Sequence, residues 1–208
     1  MYKFLHFIGT MYLRLFFGLR VYGRAHIQPG AMIVAGNHSS LSDPIYAGIG
    51  LPSTERLRFM AKIELFRFPP LRWLIEALGA YPIERGKGDV GALKKTLEML
   101  SAGQKVLIFP DGHRNAEENP DNAKNGAALL ACKSGVPVLP MYITPDRRFL
   151  RRHVSVWIGE SYTVTLPEGP RAEGYRQITQ DMMKRIYSLP QAGKEPSDER
   201  RKQDAHNL

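Results

Sequence analysis

The sequence has little cysteine and, over its first part, no acidic residues. Its 208 residues include one cysteine, Cys132, so an internal disulfide is impossible and a reducing compartment is expected. No acidic residue precedes Asp43, whereas four basic residues do. The whole chain carries 29 Lys and Arg against 20 Asp and Glu, a formal charge of +9. This excess favours an anionic partner, which could be nucleic acid, an anionic membrane or a phosphorylated substrate.

Several catalytic signatures are also missing. A G-x-S-x-G elbow is absent, so no motif in the sequence indicates a serine nucleophile. There is no H-E-x-x-H or C-x-x-C motif and the six histidines are scattered, so we expect no metal site. The HRN triplet at 113–115 lacks both the kinase aspartate and a glycine-rich phosphate loop, which excludes a kinase. Cys132 lies among alanines and is interpreted as a small core residue.

Alternating strand-like and helix-like segments predict an α/β fold, a single domain with a mostly parallel central sheet flanked by helices. The predicted strands are 31–36, 57–61, 81–83, 105–109, 137–143, 153–158 and 162–166. Helices are predicted over 65–78, from Asp89 to about Gly103, over 125–134, and in a last segment that carries Tyr175 to Leu189 on one face. We assign 1–22 to an amphipathic helix, 23–190 to the domain and 191–208 to a disordered polar tail.

The first segment is apolar but contains too many polar residues for a membrane span, which needs about 20 mostly apolar residues. On a helical projection, one side is covered by Phe4, Ile8, Met11, Tyr12, Leu15, Phe16 and Leu19. The other side carries Lys3, His6, Thr10, Arg14 and Arg20, with Phe7, Leu13 and Phe17 among them. This pattern predicts a helix lying in a membrane interface. The alternative is a first helix packed on the domain core, and one helix can do both.

The segment NHSSLSDP at 37–44 is the first candidate for chemistry. Asp43 before Pro44 is typical of a helix start after a turn. His38 and Asp43 are five positions apart and would not share a helical face, but a turn between a strand and a helix can bring them together. The carboxylate would then orient the imidazole, leaving its other nitrogen free as a base. A structural His–Asp pair is the alternative.

Two further segments contain charged residues after strands. FPDGHRN at 109–115 follows the KVLIF strand, at the end where α/β sheets bind ligands, although it could be only a polar turn. Arg85 follows a short strand in GAYPIER and is either a solvated charge or a phosphate ligand. Leu71, Trp73, Leu74 and Leu78 could line a hydrophobic tunnel or belong to the core.

Together these segments resemble the glycerolipid acyltransferase superfamily, and within it the bacterial 1-acyl-sn-glycerol-3-phosphate acyltransferases. The resemblance covers about residues 20–145 and rests on five motifs that follow one another in the family's order. They are the lead-in strand with NH-x4-D (21–43), AK-x-EL-F (61–66), G-x5-R (79–85), FPEGTRS (109–115) and VP-x-x-P (136–140). The chain departs from FPEGTRS at three positions, Asp111, His113 and Asn115, which puts the acceptor in question more than the reaction.

The resemblance implies an O-acyltransferase of phospholipid biosynthesis at the cytoplasmic face of the cell membrane. His38 would be the general base and Asp43 its orienting carboxylate, and no covalent acyl-enzyme would form. Among the basic residues, Lys62, Arg85 and Arg114 would bind the acceptor phosphate. Asp111 and Gly112 would shape the glycerol site. The implied partners are an anionic membrane surface, a lysophospholipid, and acyl-CoA or acyl-carrier protein as co-substrate, without metal or cofactor.

Three alternatives remain at the level of sequence. The same chemistry could act on another lysolipid or on glycerol 3-phosphate. The positive charge also fits a nucleic-acid-binding module, but no recognition signature for nucleic acid is present. A lipid-binding protein without activity could share the scaffold, although the presence of both His38 and Asp43 argues against it.

Overall fold

The computed structural model of the protein describes residues 1–83, 90–114, 119–120, 123–144 and 154–192. The helices are α1 Tyr2–Phe17, α2 Asp43–Gly50, α3 Pro69–Leu78, α4 Val90–Ser101, α5 Gly126–Ser134 and α6 Arg171–Ala192. The strands are β1 Arg20–Tyr22, β2 Met32–Gly36, β3 Leu57–Lys62, β4 Ala80–Ile83, β5 Lys105–Ile108, β6 Val138–Ile143 and β7 Ser155–Ile158. Short 3-10 helices lie at Arg24–His26 and Ile63–Phe66.

The described strands form one seven-stranded sheet in the order β1-β7-β6-β2-β5-β3-β4. The five strands from β6 to β4 are mutually parallel, and β7 pairs antiparallel with β6. β1 runs parallel to β7, so both oppose the other five. β2 lies in the middle and is buried along its whole length, which explains its run of apolar residues. The predicted α/β fold with a mostly parallel sheet is confirmed.

Helices cover both faces of the sheet. α1, α2 and α3 pack on one face over one cluster of buried side chains. α4, α5 and α6 cover the other face over a second cluster. Helix α3 begins at Pro69, whose fixed φ suits the first helical turn, and ends at Gly79. Gly79 has φ +111°, and a Cβ there would lie 2.1 Å from the Leu57 carbonyl oxygen, so only glycine fits this turn.

One predicted strand is wrong. Residues 162–166 form only a single antiparallel bridge, in which Tyr162 pairs with Val138. The alternating pattern is real, because Val164 and Leu166 pack partly into the second core cluster. These side chains are partly buried although no strand pairs with the segment, so an alternating apolar pattern does not require sheet pairing.

Helix α1 packs on the domain through the side that the sequence marks as polar. Leu13 is buried and Phe17 packs against the core. The His6 ring bonds through Nε2 to the Leu51 carbonyl at 3.0 Å, and Thr10 donates to the His6 carbonyl at 2.7 Å. The predicted apolar side faces outward, with these large side chains exposed: Phe4, Ile8, Met11, Tyr12, Leu15 and Phe16. Phe7, predicted on the polar side, is exposed as well. The helix predicted over 1–22 is too long: α1 ends at Phe17, because Gly18 adopts a left-handed conformation, and Arg20–Tyr22 form β1. Leu19 is buried and lies beyond the helix end.

None of the helices in the described ranges is both long enough and apolar enough to cross a membrane. Helix α6 continues through Pro190 to Ala192, two residues past the predicted domain boundary. The rest of the predicted tail, 193–208, lies outside the described residues, as do Asp89 and Arg85. The domain assignment itself stays a prediction.

Candidate active site

The segment that carries His38 lies at the carboxyl edge of the parallel strands, where β2 ends and α2 begins. This is the edge at which open α/β sheets place their ligands. The buried Asn37 holds the end of β2, because its side chain exchanges two hydrogen bonds with the Ile143 backbone. Asn37 Nδ2 donates to the Ile143 carbonyl at 2.9 Å, and the Ile143 N–H donates to Asn37 Oδ1 at 2.8 Å. The turn therefore starts from a point that is joined to the end of β6.

His38 and Asp43 meet across this turn, as the sequence predicts. The distance from His38 Nδ1 to Asp43 Oδ2 is 2.9 Å. The backbone N–H groups of Ser39 and Ser40 also donate to the same oxygen, both at 2.7 Å. Asp43 is 1% exposed and stands in the first turn of α2, where the helix dipole favours a negative charge. Three donors and the helix start thus stabilise a buried carboxylate.

The geometry defines the tautomer of His38. An ionised carboxylate only accepts hydrogen bonds, so His38 Nδ1 carries the proton and donates it to Asp43. Nε2 then has a free lone pair. The His38 side chain is 13% exposed, so one edge of the ring reaches the surface. This arrangement can remove a proton from a bound hydroxyl group and stabilise the imidazolium that results.

Phe109 is a site residue whose contact with His38 the sequence analysis missed. It follows β5, the neighbour of β2, and its ring stacks on the His38 imidazole. The ring centroids are 4.0 Å apart and the planes differ by 9°. The position belongs to the FPDGHRN segment, but a stacking contact between two strand ends depends on the register of β2 and β5. Phe109 and Asp43 together restrict both the plane and the rotation of the imidazole.

Asp111, predicted to shape a glycerol site, contacts the backbone of His38. Its carboxylate is buried and Oδ2 accepts the His38 backbone N–H at 3.3 Å. Gly112 follows in an exposed turn with φ +68°. A Cβ on Gly112 would lie 2.7 Å from Lys124 Cδ, so the stem of Lys124 covers this glycine. The structure therefore adds Lys124 to the basic residues of this edge, although no motif in the sequence points to it.

Two of the three predicted phosphate ligands, Lys62 and Arg114, follow adjacent strands of the sheet. Lys62 is the last residue of β3 and is exposed. Arg114 is exposed in the loop after β5, the strand next to β3. Arg85 lies outside the described residues. Because the ends of adjacent parallel strands meet at one edge, Lys62 and Arg114 follow their strands at the same edge of the sheet as His38.

Other parts of the described structure offer no competing reaction centre. A groove of about 650 Å³ runs between α4 and α5 on the other face of the sheet, and none of the predicted site residues lines it. Cys132 is half-buried in α5 beside the second core cluster, where burial raises the pKa of its thiol and so disfavours the thiolate. Among the described residues, no three His, Cys, Asp or Glu side chains are grouped to hold a metal ion.

Comparison with known proteins identifies the family of the chain. The acyltransferase family model matches residues 18–144, which is more than half of the chain and includes both His38 and Phe109. The chain therefore belongs to the acyltransferase family. A 1-acyl-sn-glycerol-3-phosphate acyltransferase of Bacillus subtilis is 28% identical over 195 residues, covering 91% of this chain and 96% of that protein. A lyso-ornithine lipid O-acyltransferase of Pseudomonas aeruginosa is 31% identical over 167 residues, covering 78% of this chain and 62% of that protein.

A solved structure supports the fold in the same way. The crystal structure of the 1-acyl-sn-glycerophosphate acyltransferase of Thermotoga maritima superposes with a TM-score of 0.66 at 28% identity. The match covers 90% of this chain and 79% of that one. The chain spans only 40% and 42% of two chloroplastic relatives that it also matches. The recognised family and the fold are confirmed, and these names support the O-acyltransferase class.

Proposed function

We propose that the protein transfers a fatty acyl group from acyl-CoA or acyl-carrier protein to the sn-2 hydroxyl of 1-acyl-sn-glycerol 3-phosphate, giving phosphatidic acid. The observation that carries this proposal is the His38–Asp43 pair, 2.9 Å apart at the carboxyl edge of the sheet in a chain of the acyltransferase family. The same membership favours this reaction over nucleic-acid binding.

In the proposed mechanism, His38 Nε2 takes the proton from the acceptor hydroxyl as its oxygen attacks the thioester carbonyl carbon. The new C–O bond gives a tetrahedral intermediate, and its collapse breaks the C–S bond. The imidazolium then returns the proton to the leaving thiolate, so the enzyme ends in its starting state. Asp43 stays ionised and stabilises the imidazolium. General-base assistance of this kind contributes about 10²–10⁴-fold, so positioning of both substrates must supply the rest. No covalent acyl-enzyme, metal or cofactor takes part.

Lys62 and Arg114 are proposed to bind the acceptor phosphate, together with Arg85. Exposed cations suit this role because the phosphate must enter and leave from the surface. Arg114 offers the planar fork that binds a phosphate through two parallel hydrogen bonds. Gly112, with the stem of Lys124 against it, is proposed to shape the glycerol site beside Arg114. The Asp111 carboxylate stabilises this site by accepting the His38 backbone N–H.

Membrane association is proposed from the orientation of α1. A helix that served only the core would turn its apolar side inward, whereas α1 exposes seven large apolar side chains and packs through His6, Thr10 and Leu13. Its basic residues, Lys3 and Arg14, are exposed beside the apolar side. This combination is typical of a helix that lies in the interface of an anionic membrane. The protein is proposed to bind the cytoplasmic face of the cell membrane in this way.

A second candidate acceptor is a lyso-ornithine lipid. The specific observation is the Pseudomonas aeruginosa relative, whose name carries that acceptor and which is 31% identical over 78% of this chain. The departures from FPEGTRS at 111, 113 and 115 fall in the segment assigned to the acceptor.

The test is an acyl-transfer assay on the purified full chain. Acceptors are 1-acyl-sn-glycerol 3-phosphate, lyso-ornithine lipid and glycerol 3-phosphate, each with acyl-CoA and with acyl-carrier protein. We expect phosphatidic acid to form fastest, and the His38→Ala variant to lose acyl transfer while keeping its circular dichroism spectrum. Near-normal turnover by His38→Ala would overturn the mechanism, and preference for lyso-ornithine lipid would replace the acceptor.

A further inference from the structure

A second group of exposed apolar side chains lies outside α1. We call it the α3 patch and define it as Leu65, Phe68, Trp73 and Leu74, from the short 3-10 helix and the start of α3. Phe68 is 63% exposed and Trp73 is 56% exposed, while both leucines are 40% exposed. The sequence left Trp73 and Leu74 as tunnel or core residues, but the structure buries neither. Exposing four such side chains in one short segment costs stability in water unless another surface covers them.

The α3 patch lies on the same side of the molecule as the exposed face of α1. Both helices pack on the same core cluster, α1 through Leu13 and Phe17, and α3 through Ile75 and Leu78. The two helices also contact each other. Their outer sides therefore point away from the same face of the sheet, so the two apolar surfaces are neighbours.

Exposed apolar side chains also lie at the active-site edge. Leu41, inside the turn between His38 and Asp43, is 74% exposed. Ile45 on α2 is also exposed, and α2 contacts α1. Apolar side chains beside the proposed base fit an acceptor that carries a fatty acyl chain and comes from a lipid layer.

The charge around both surfaces favours an anionic layer. Across residues 1–17 and 62–78, five basic residues stand against two acidic ones, an excess of three. The basic residues are Lys3, Arg14, Lys62, Arg67 and Arg72, and the acidic ones are Glu64 and Glu76. Arg72 pairs with Glu76 on α3. A surface that combines a tryptophan, apolar side chains and a basic rim has the composition of a membrane-interface element.

We propose that α3 is a second bilayer-contact element, in which Phe68, Trp73 and Leu74 enter the same anionic leaflet that α1 contacts. This inference rests on the proposed membrane association of α1 and deepens it. One amphipathic helix leaves a domain free to tilt about the helix axis, whereas two adjacent contacts define a plane. With α1 and α3 both in the leaflet, the turn carrying His38 and Leu41 faces the lipid layer.

Trp73 can report its own environment. The only other tryptophan, Trp157, stacks on Tyr22 with ring centroids 4.0 Å apart, and phenylalanine preserves that stacking. In the full-length Trp157→Phe protein, we expect Trp73 emission to shift to the blue on adding phosphatidylcholine vesicles that contain phosphatidylglycerol. Lipids brominated on their acyl chains should quench it. Protein that sediments with the vesicles while Trp73 stays unshifted and unquenched would refute the proposal, because α1 alone would then carry binding.

A matched pair of variants measures the contribution of α3. Phe68→Ser with Trp73→Ser should lower the vesicle partition coefficient at least about tenfold, given the apolar area removed. The control is Val90→Ser on α4, which removes a 77% exposed apolar side chain from the other face of the sheet and should leave partitioning unchanged. Equal partitioning of the double variant and the control would contradict the proposal. So would lipid-free dimers, detected by sedimentation velocity, that only the double variant disrupts, since a second copy would then cover the patch.

The proposed acyl transfer is tested separately, with wild-type protein and lysolipid dispersed in detergent micelles. Loss of activity there, together with normal Trp73 quenching, would refute the function and leave the second membrane contact standing. Activity in micelles without Trp73 quenching on vesicles would refute the second membrane contact and leave the proposed function standing.

Discussion

The substitution Asp43→Asn tests the proposed base most directly, because it keeps the shape of the side chain and changes its charge. In the wild type, one carboxylate oxygen receives the Nδ1 proton of His38 and two backbone N–H groups. An asparagine whose carbonyl oxygen takes the place of Oδ2 can accept all three bonds, but it carries no charge. His38 Nδ1 then keeps a partner, whereas the imidazolium that forms when Nε2 takes the substrate proton loses the carboxylate that stabilises it.

The expected loss of activity is large and the expected loss of stability is small. Without the carboxylate the imidazolium is not stabilised, so most of the general-base contribution, about 10²–10⁴-fold in kcat, should be lost. The folded state loses three charge-assisted hydrogen bonds at a 1% exposed site and gains neutral ones in their place. Against this, the variant no longer buries a charge, so we expect the free energy of unfolding to fall by no more than about 2 kcal/mol.

The assay is steady-state acyl transfer with the donor and acceptor that the wild type prefers, combined with urea unfolding of both proteins. A fall in kcat of at least about 10²-fold, with unfolding at nearly the same urea concentration, is the expected result. Asp43→Ala is the companion variant, since it removes the oxygen altogether and should also destabilise the turn. If Asp43→Asn kept more than a tenth of wild-type kcat, the carboxylate would be only a structural cap and the assignment of the base would fail.

Three further predictions concern Phe109, Arg114 and Lys105. Phe109→Leu should lower kcat about two- to tenfold through loss of the stack on His38, and Phe109→Tyr should restore it, as measured by steady-state kinetics. Arg114→Ala should raise the acceptor KM more than the donor KM; a change in donor KM alone would exclude phosphate binding. Lys105→Met should lower the free energy of unfolding by about 2–3 kcal/mol, because the 2% exposed ammonium bonds a carbonyl and a carboxylate oxygen. Lys133→Met, at an exposed position of α5, is the control and should unfold like the wild type.

Local sequence was sufficient for most elements of the fold. The apolar run at 31–36 predicted β2, and the helix predicted over 65–78 ends at Leu78 as expected. Its start was predicted four residues too early: α3 begins at Pro69, because a proline suits the first turn of a helix and not its interior. The strand predicted at 162–166 was wrong because period-2 burial does not require sheet pairing. Whether a neighbouring strand exists is decided by segments far away in the chain.

The same division applies to the site. The sequence by itself determined that His38 and Asp43 lie on one strand-to-helix turn, because five residues between a buried strand and a helix start allow few arrangements. It also determined that the first helix is amphipathic. Only the tertiary structure decided that this helix turns its apolar side outward, since a helix has two sides and the contacts of Leu13 with the core select one. The stack of Phe109 on His38 and the pairing of Asn37 with the end of β6 likewise depend on which strands are neighbours. Those contacts join residues more than 70 positions apart, and no local pattern encodes that order.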